Sequence, residues 1–147
     1  MEATCWLTPV GSWEDKTPEE IIQTLVAREG VYALSMKNRN KPLKVGDWIC
    51  FYIPRRGIVA HARVATIPEI KTHRAIYDSQ RYPLVFHLEQ TSVYLDNPVP
   101  IGTNIRKDLD AFQGRDLGKP WSWFVQSTKK ISQHDFEILT AAYSDKR

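Results

Sequence analysis

Cysteine is nearly absent. There are two, Cys5 and Cys50, in 147 residues, with no CxxC and no Cys/His cluster. This excludes a disulfide framework and the spacings of a zinc site. Both thiols fall in stretches that read as strands, so buried free cysteines of a cytoplasmic protein are expected. No apolar run approaches the ~20 residues that a membrane-crossing helix needs. No basic flank followed by an apolar core opens the sequence, so no secretion signal is expected. The usual catalytic signatures are missing as well: GxSxG, HExxH, a Gly-rich phosphate loop, and the HxE…PCxxC of zinc deaminases. The four histidines are scattered, and His61 and His87 lie alone on expected strands. No catalytic residue, metal ligand or cofactor site is therefore expected, and the chain reads as a binding protein rather than an enzyme. Acidic residues are also scarce over one long stretch. Between residues 30 and 68 the one acid is Asp47, against Lys37, Arg39, Lys41, Lys44, Arg55, Arg56 and Arg63. The net charge is only +3, so this local excess, and not the total, points to an anionic partner such as a phosphate backbone.

Apolar and aromatic residues are present in quantity, and the densest run organises the rest. Residues 48–53, WICFYI, are apolar on both faces; a strand covered on one side would alternate with polar residues. Gly46-Asp47 before the run and residues 54–57 after it are turn signals, with Asp47 as an Asx-turn residue. Residues 57–64 return, which predicts a hairpin at the centre of a small barrel. Trp48, Cys50 and Tyr52 share one face; Ile49, Phe51 and Ile53 share the other. On the return leg Ile58, Ala60, Ala62 and Val64 share a face, their small side chains suiting the inside of a curled sheet.

The remaining pattern supports a single domain over residues 1–147. Residues 3–8 form a first strand. Thr17, Pro18 and Glu20 make a capping box that opens a helix with Ile21, Ile22, Leu25 and Val26 on one stripe and Gly30 at its end. Residues 31–35 form a second strand, and 37–44 a basic loop. Residues 69–82 are polar and irregular, with one helical turn near 74–77. Residues 84–94 form a long strand with Leu84, Phe86, Leu88, Gln90, Ser92 and Tyr94 on the core face. A short helix over 104–112, an aromatic stretch over 121–125 and a helix capped by Ser132, burying Phe136, Leu139 and Tyr143, complete an α+β mixed barrel with peripheral helices.

Aromatics beside turns and basic loops suggest a stacking site. Trp13 and Trp48 read as packing residues. Tyr32 lies between a helix end and the basic loop, and Trp121 follows Lys119-Pro120. Stacking a base on an aromatic ring is worth ~1–3 kcal/mol, which offsets the few kcal/mol needed to unstack it from its neighbours.

The ordered set CWLT at 5–8, GVYA at 30–33, LKVGDWICFY at 43–52, IVA at 58–60 with Val64, Tyr82-Pro83, and PWS at 120–122 resembles an EVE domain. EVE domains belong to the PUA-like superfamily, which also holds the YTH domains. The resemblance runs over roughly residues 3–143. It implies a PUA-like mixed β-barrel that binds nucleic acid, modified DNA or RNA, and takes a flipped modified base into an aromatic pocket. 5-Methylcytosine, 5-hydroxymethylcytosine and N6-methyladenine are such bases. The family usually carries Trp where Tyr32 stands, and relatives often carry Asn at Thr8-Pro9; Tyr keeps the stacking face, while the amide is lost. On this reading Tyr32 and Trp121 stack on the base, with Trp6 and Tyr52 as supporting walls. Thr8, Ser35 and Ser122 bond its edge, and Lys37, Arg39, Lys41, Arg55, Arg56 and Arg81 hold phosphates. An accessory role beside restriction or defence enzymes is a family-level expectation. The alternatives are an RNA-processing or RNA-modifying enzyme akin to ASCH domains, using His61 or His87, and a small-molecule or protein-interaction module.

Overall fold

The hairpin at residues 46–64 is the centre of the sheet. In the computed structural model, which describes residues 3–13, 15–76 and 78–145, β3 (Trp48–Ile53) and β4 (Gly57–Val64) pair antiparallel. β1 (Cys5–Pro9) runs parallel to β3, and β7 (Lys129–Ile131) is antiparallel to β1. On the other side β6 (Leu84–Val93) pairs with β4, and its first residues pair with β2 (Val31–Leu34) and with the short β5 (Glu69–Ile70). The order β2-β6-β4-β3-β1-β7 is a mixed sheet curled into a half-barrel, with β2 and β7 as its ends. No helix among the described residues is long and apolar enough to cross a membrane.

The double-sided burial of β3 follows from its sequence. Ile49, Phe51 and Ile53 join a core with Trp6, Tyr32, Phe86 and the stripe Ile21, Ile22, Leu25 and Val26. That stripe comes from α1, which starts at Pro18–Ile21 and continues with π-type bonding through Ile22–Glu29. Thr17 and Glu20 close the capping box, and Gly30 ends the helix at φ 63°. Cys50 and Tyr52 point the opposite way, into a second core with Cys5, Leu7 and Tyr94. Phe136 and Leu139 of α3 (Gln133–Asp145) cover this second core. Ser132 Oγ accepts the Asp135 N–H at 3.0 Å, the expected cap.

Two irregularities alter the expected faces. The β3–β4 register passes from Phe51↔Ala60 to Tyr52↔Ile58. Val59 is thereby extra, and Ile58 turns to the α3-side core while Ala60, Ala62 and Val64 face the α1 side. A bulge adds one residue and inverts every side chain beyond it. On β6 the register shifts opposite His61 and Arg63, and Gln90 sits at φ 48°. Leu84, Phe86 and Leu88 therefore face α1, Tyr94 faces the second core, and Gln90 is exposed.

The expected helix over 104–112 is broken. α2 covers Thr103–Arg106, Leu109 is extended, and a 3₁₀ turn comes next at Asp110–Phe112. The buried Asp135 carboxylate accepts the N–H groups of Asp110 and Ala111 at 2.6 and 3.1 Å, so the second turn is tied to α3 instead of continuing α2. The aromatic stretch at 121–125 is a 3₁₀ turn, Ser122–Phe124. Tyr77 lies outside the described residues, and Tyr143 outside the described side chains.

Asp47 is more than a turn residue. It is 1% exposed. Its carboxylate accepts the Thr4 N–H, the Trp6 Nε1–H and the Lys44 N–H, each at 3.0 Å. These bonds fasten β1 beside β3. Gly57 makes a second close contact: a Cβ there would stand 2.1 Å from the Val99 carbonyl oxygen, where Ile58 and Val99 exchange backbone bonds at 2.9 Å.

Asp47→Ala leaves three N–H donors without their acceptor. At ~1–3 kcal/mol per unsatisfied buried group, the denaturant midpoint should fall by the equivalent of roughly 3 kcal/mol or more; a shift under about 1 kcal/mol overturns this role. Cys5 and Cys50 are free and buried. Burial, with Asp47 and Glu137 nearby, pushes the Cys5 thiol up to about 11, and burial also raises Cys50. A raised pKa removes thiolate at ordinary pH. Ellman's reagent at pH 8 should therefore titrate both thiols only after unfolding, and rapid reaction of the native chain would contradict the packing.

Candidate functional site

The two ends of the curled sheet do not pair with each other, and the gap between them is the site. It is a cavity of about 480 Å³. One wall comes from the end of β1 and the segment just beyond it, Thr8 to Val10 and Trp13. The facing wall is β2 with the turn after it, where Tyr32, Ser35, Lys37, Asn38 and Lys41 stand. The segment ahead of β7, residues 125–128, closes one side, and Tyr82 another.

Polar groups concentrate here because the strand ends have no ladder partner and their carbonyls need donors. The Tyr32 hydroxyl donates to the Pro9 carbonyl at 3.4 Å, and Lys41 Nζ donates to the Thr128 carbonyl. Thr8 Oγ1 and Thr128 Oγ1 are 2.8 Å apart, both buried. Asn38 Nδ2 donates to Ser35 Oγ at 3.3 Å. Burial raises the Tyr32 pKa, so its O–H stays a donor. Burial lowers that of Lys41. The aromatic surface is a stacked pair, Trp13 on Tyr82, with ring centroids 5.1 Å apart and planes at 23°. Arg81 stands over Tyr82, its Cζ 5.2 Å from the ring centroid.

The structure divides the residues expected to form the pocket. Thr8, Tyr32 and Ser35 line the cavity. Trp6, at 2% exposed, is sealed in the α1-side core with its Nε1–H on Asp47. Tyr52 and Trp121 lie on the opposite face of the sheet, 6.5 Å apart edge-to-face. The expected Tyr32–Trp121 slot therefore does not form: the pleat of β3 sends Phe51 against Tyr32 and Tyr52 against Trp121. Ser122 is exposed, and neither cavity wall includes it.

The cations divide similarly. Lys37 and Lys41 line the cavity. Arg55 and Arg81 are exposed and adjoin two lining residues, Pro54 and Tyr82. Arg39 NH1 donates to the Met36 carbonyl at 3.2 Å. Arg56 is bound within the fold, to Glu19 at 3.1 Å and to the Leu95 carbonyl, and so is not a free phosphate ligand. His61 bonds Tyr94 through Nδ1 at 3.0 Å, His87 packs near His73, and neither lines the cavity.

Trp13 is the packing residue that the sequence suggests, buried in the α1-side core; what sequence reasoning missed is that the same ring lines the cavity, with Tyr82 stacked on it and residues 125–128 beside it. The one available signal was that Trp13 comes after Gly11-Ser12, outside any strand pattern, at a place where a packed ring can also border an opening. Among the described residues Asp110, His134 and Asp135 are the group whose ligand atoms approach within 4.8 Å of one another. Asp135 already serves two N–H groups there, and Asp110 accepts from Ser132.

Neither a family model nor a curated protein matches the chain. Solved structures do. The chain is similar to a hypothetical protein from Leishmania major (TM-score 0.56, 15% identity, covering 99% of this chain and 98% of that one). It is also similar to the Pho92 YTH domain solved in complex with m6A (TM-score 0.56, 11% identity, covering 96% and 83%). A third similar structure is Rpa0253 from Rhodopseudomonas palustris (TM-score 0.51, 12% identity, covering 95% and 92%). At these identities the likeness is one of fold: this chain has a barrel-like α+β architecture similar to that of a YTH domain.

Proposed function

We propose that the chain is a non-enzymatic reader of a modified nucleobase, an EVE-type member of the PUA-like group, and that the base enters the cavity between the sheet ends. The observation that carries this is the combination in one cavity of an aromatic wall, a ring of hydroxyls and amides, and lysines at its edge. The fold similarity to a YTH domain that holds m6A supports the same reading. Half-buried Tyr82 supplies the open ring, backed by the buried Trp13 and Tyr32, a base–aromatic stack being worth ~1–3 kcal/mol. Thr8, Ser35, Asn38 and Thr128 offer donors and acceptors to the base edge. A methyl group buried against the rings adds only ~0.8 kcal/mol, so these polar groups must supply most of the discrimination. Lys37 and Lys41, with Arg55 and Arg81 nearby, take the flanking phosphates. The chemistry asked of the cavity is binding. The histidines an acid–base mechanism would draw on lie elsewhere in the fold.

Titration of methylated and unmodified oligonucleotides tests this, with equal affinity counting against it. Tyr82→Ala, at a half-buried ring, should reduce affinity for the modified oligonucleotide by roughly 5- to 150-fold, the range ~1–3 kcal/mol implies, and cut its preference by no more than the about fourfold that a buried methyl supplies. Lys37→Ala should instead weaken all sequences alike and lower the salt slope by somewhat under one, about 0.7–0.9. The lowered Lys41 pKa sets a pH dependence. Its ammonium is charged at low pH and loses its proton on alkalinisation before an ordinary lysine would. Oligonucleotide affinity should begin to fall in that earlier range, and Lys41→Gln should remove this first decline; an unchanged profile would exclude Lys41 as a phosphate ligand.

A further inference from the structure

On the α3 side of the sheet lies a second cleft, of about 410 Å³, whose walls include Arg106, Arg115, Lys119, Trp121 and Trp123. Its cations are unusual in their placement. Arg106 is 7% exposed, and no ion pair among the described residues involves it. NH1 donates to the Ile101 carbonyl at 2.9 Å, and NH2 makes long bonds of 3.4 Å to Thr103 Oγ1 and the Leu117 carbonyl. Its Nε–H has no partner. Burying a guanidinium without a counter-charge is costly, and an anion in the cleft would supply that charge.

The remaining wall indicates what kind of anion. Arg106 Cζ lies 4.6 Å from the Trp121 ring centroid and Arg115 Cζ 4.0 Å from that of Trp123, which Lys129 Nζ also approaches at 4.9 Å. The cations already cover these rings, so they hold guanidinium planes in place and offer little face to a base. A guanidinium beside an indole keeps its charge and its remaining N–H donors for oxygen acceptors such as those of phosphate. Three cations, Arg106, Arg115 and Lys119, face one carboxylate, Asp116, and Asp116 Oδ1 accepts the Gly118 N–H at 2.9 Å. That excess favours a phosphate over a singly charged carboxylate.

We propose that this cleft binds a phosphate group, with Arg106 as the buried anchor and Arg115 and Lys119 at its mouth. The group could belong to a phosphodiester of bound nucleic acid or to a free phosphate compound. The two share the recognition chemistry and differ in what the mutant loses. The inference stands apart from the base cavity, since the two sites share no lining residue.

The test uses the full chain with inorganic pyrophosphate, compared with chloride at matched ionic strength. Wild type should gain several degrees in Tm, because a ligand bound only by the folded state stabilises it. Arg115→Gln/Lys119→Gln changes two exposed side chains and spares the carbonyls that Arg106 holds. It should lose that gain, while Tyr82→Ala should keep it. If the source is a phosphodiester, the double variant should also weaken a single-stranded oligonucleotide and lower its salt slope by about 1.4, ~0.7 for each cation. An unchanged oligonucleotide affinity with a lost pyrophosphate shift assigns a free phosphate compound. The proposal is overturned if pyrophosphate gives wild type no shift beyond chloride and the oligonucleotide titration is unchanged in the double variant, or if wild type and the double variant respond equally in both assays.

Discussion

The fold depends on how β1 is held in the sheet, and a buried carboxylate holds it. β1 is parallel to β3, so no tight turn can join the two and the pairing must be secured otherwise. Asp47, one residue before β3, accepts from the Thr4 backbone, the Trp6 indole and the Lys44 backbone at once. A buried charge is tolerable when N–H donors replace its water, and three do so here. With β1 in place, β7 has an edge to join, and the sheet acquires the end that faces β2.

That end is where the cavity forms. A closed barrel would pair every strand edge and leave no opening. Here β2 and the β1–β7 end meet through side chains instead: Tyr32 to Pro9, and Lys41 to Thr128. Side-chain bridges keep the gap narrow without filling it, and they bring a phenol hydroxyl and an ammonium to an otherwise apolar interior. The same two-faced sheet explains why the cationic aromatic cleft at Trp121 is a separate place. Tyr52 and Trp121 belong to one face, Tyr32 and Phe51 to the other.

Much of the scaffold was legible because local rules decided it. The Thr17–Glu20 capping box, the α1 stripe, Gly30, the central hairpin and the Ser132 cap all follow from short-range chemistry, and all stand. What was not legible depended on partners far along the chain. β7 is only Lys129–Ile131 and carries two lysines; it is a strand because β1 offers it an edge. The helix expected over 104–112 fails because Asp135, more than twenty residues away, captures the amides of Asp110 and Ala111. The bulges at Val59 and Gln90 swapped faces that strict alternation had assigned.

The site shows the same division. Residue type and order singled out Thr8, Tyr32, Ser35, Lys37 and Lys41, which do share the cavity, but equally Trp6, Tyr52, Trp121 and Ser122, which do not line it. The sequence by itself therefore determined a curled α+β sheet apolar on both faces, with a basic, polar edge beside an aromatic. Only the tertiary structure decided which rings share that edge. A side chain's face depends on pleat and register, and register is set by pairing between distant strands. That is why Trp13 and Tyr82, from two irregular segments, stack at the cavity, while Trp121 stands on the other side of the sheet.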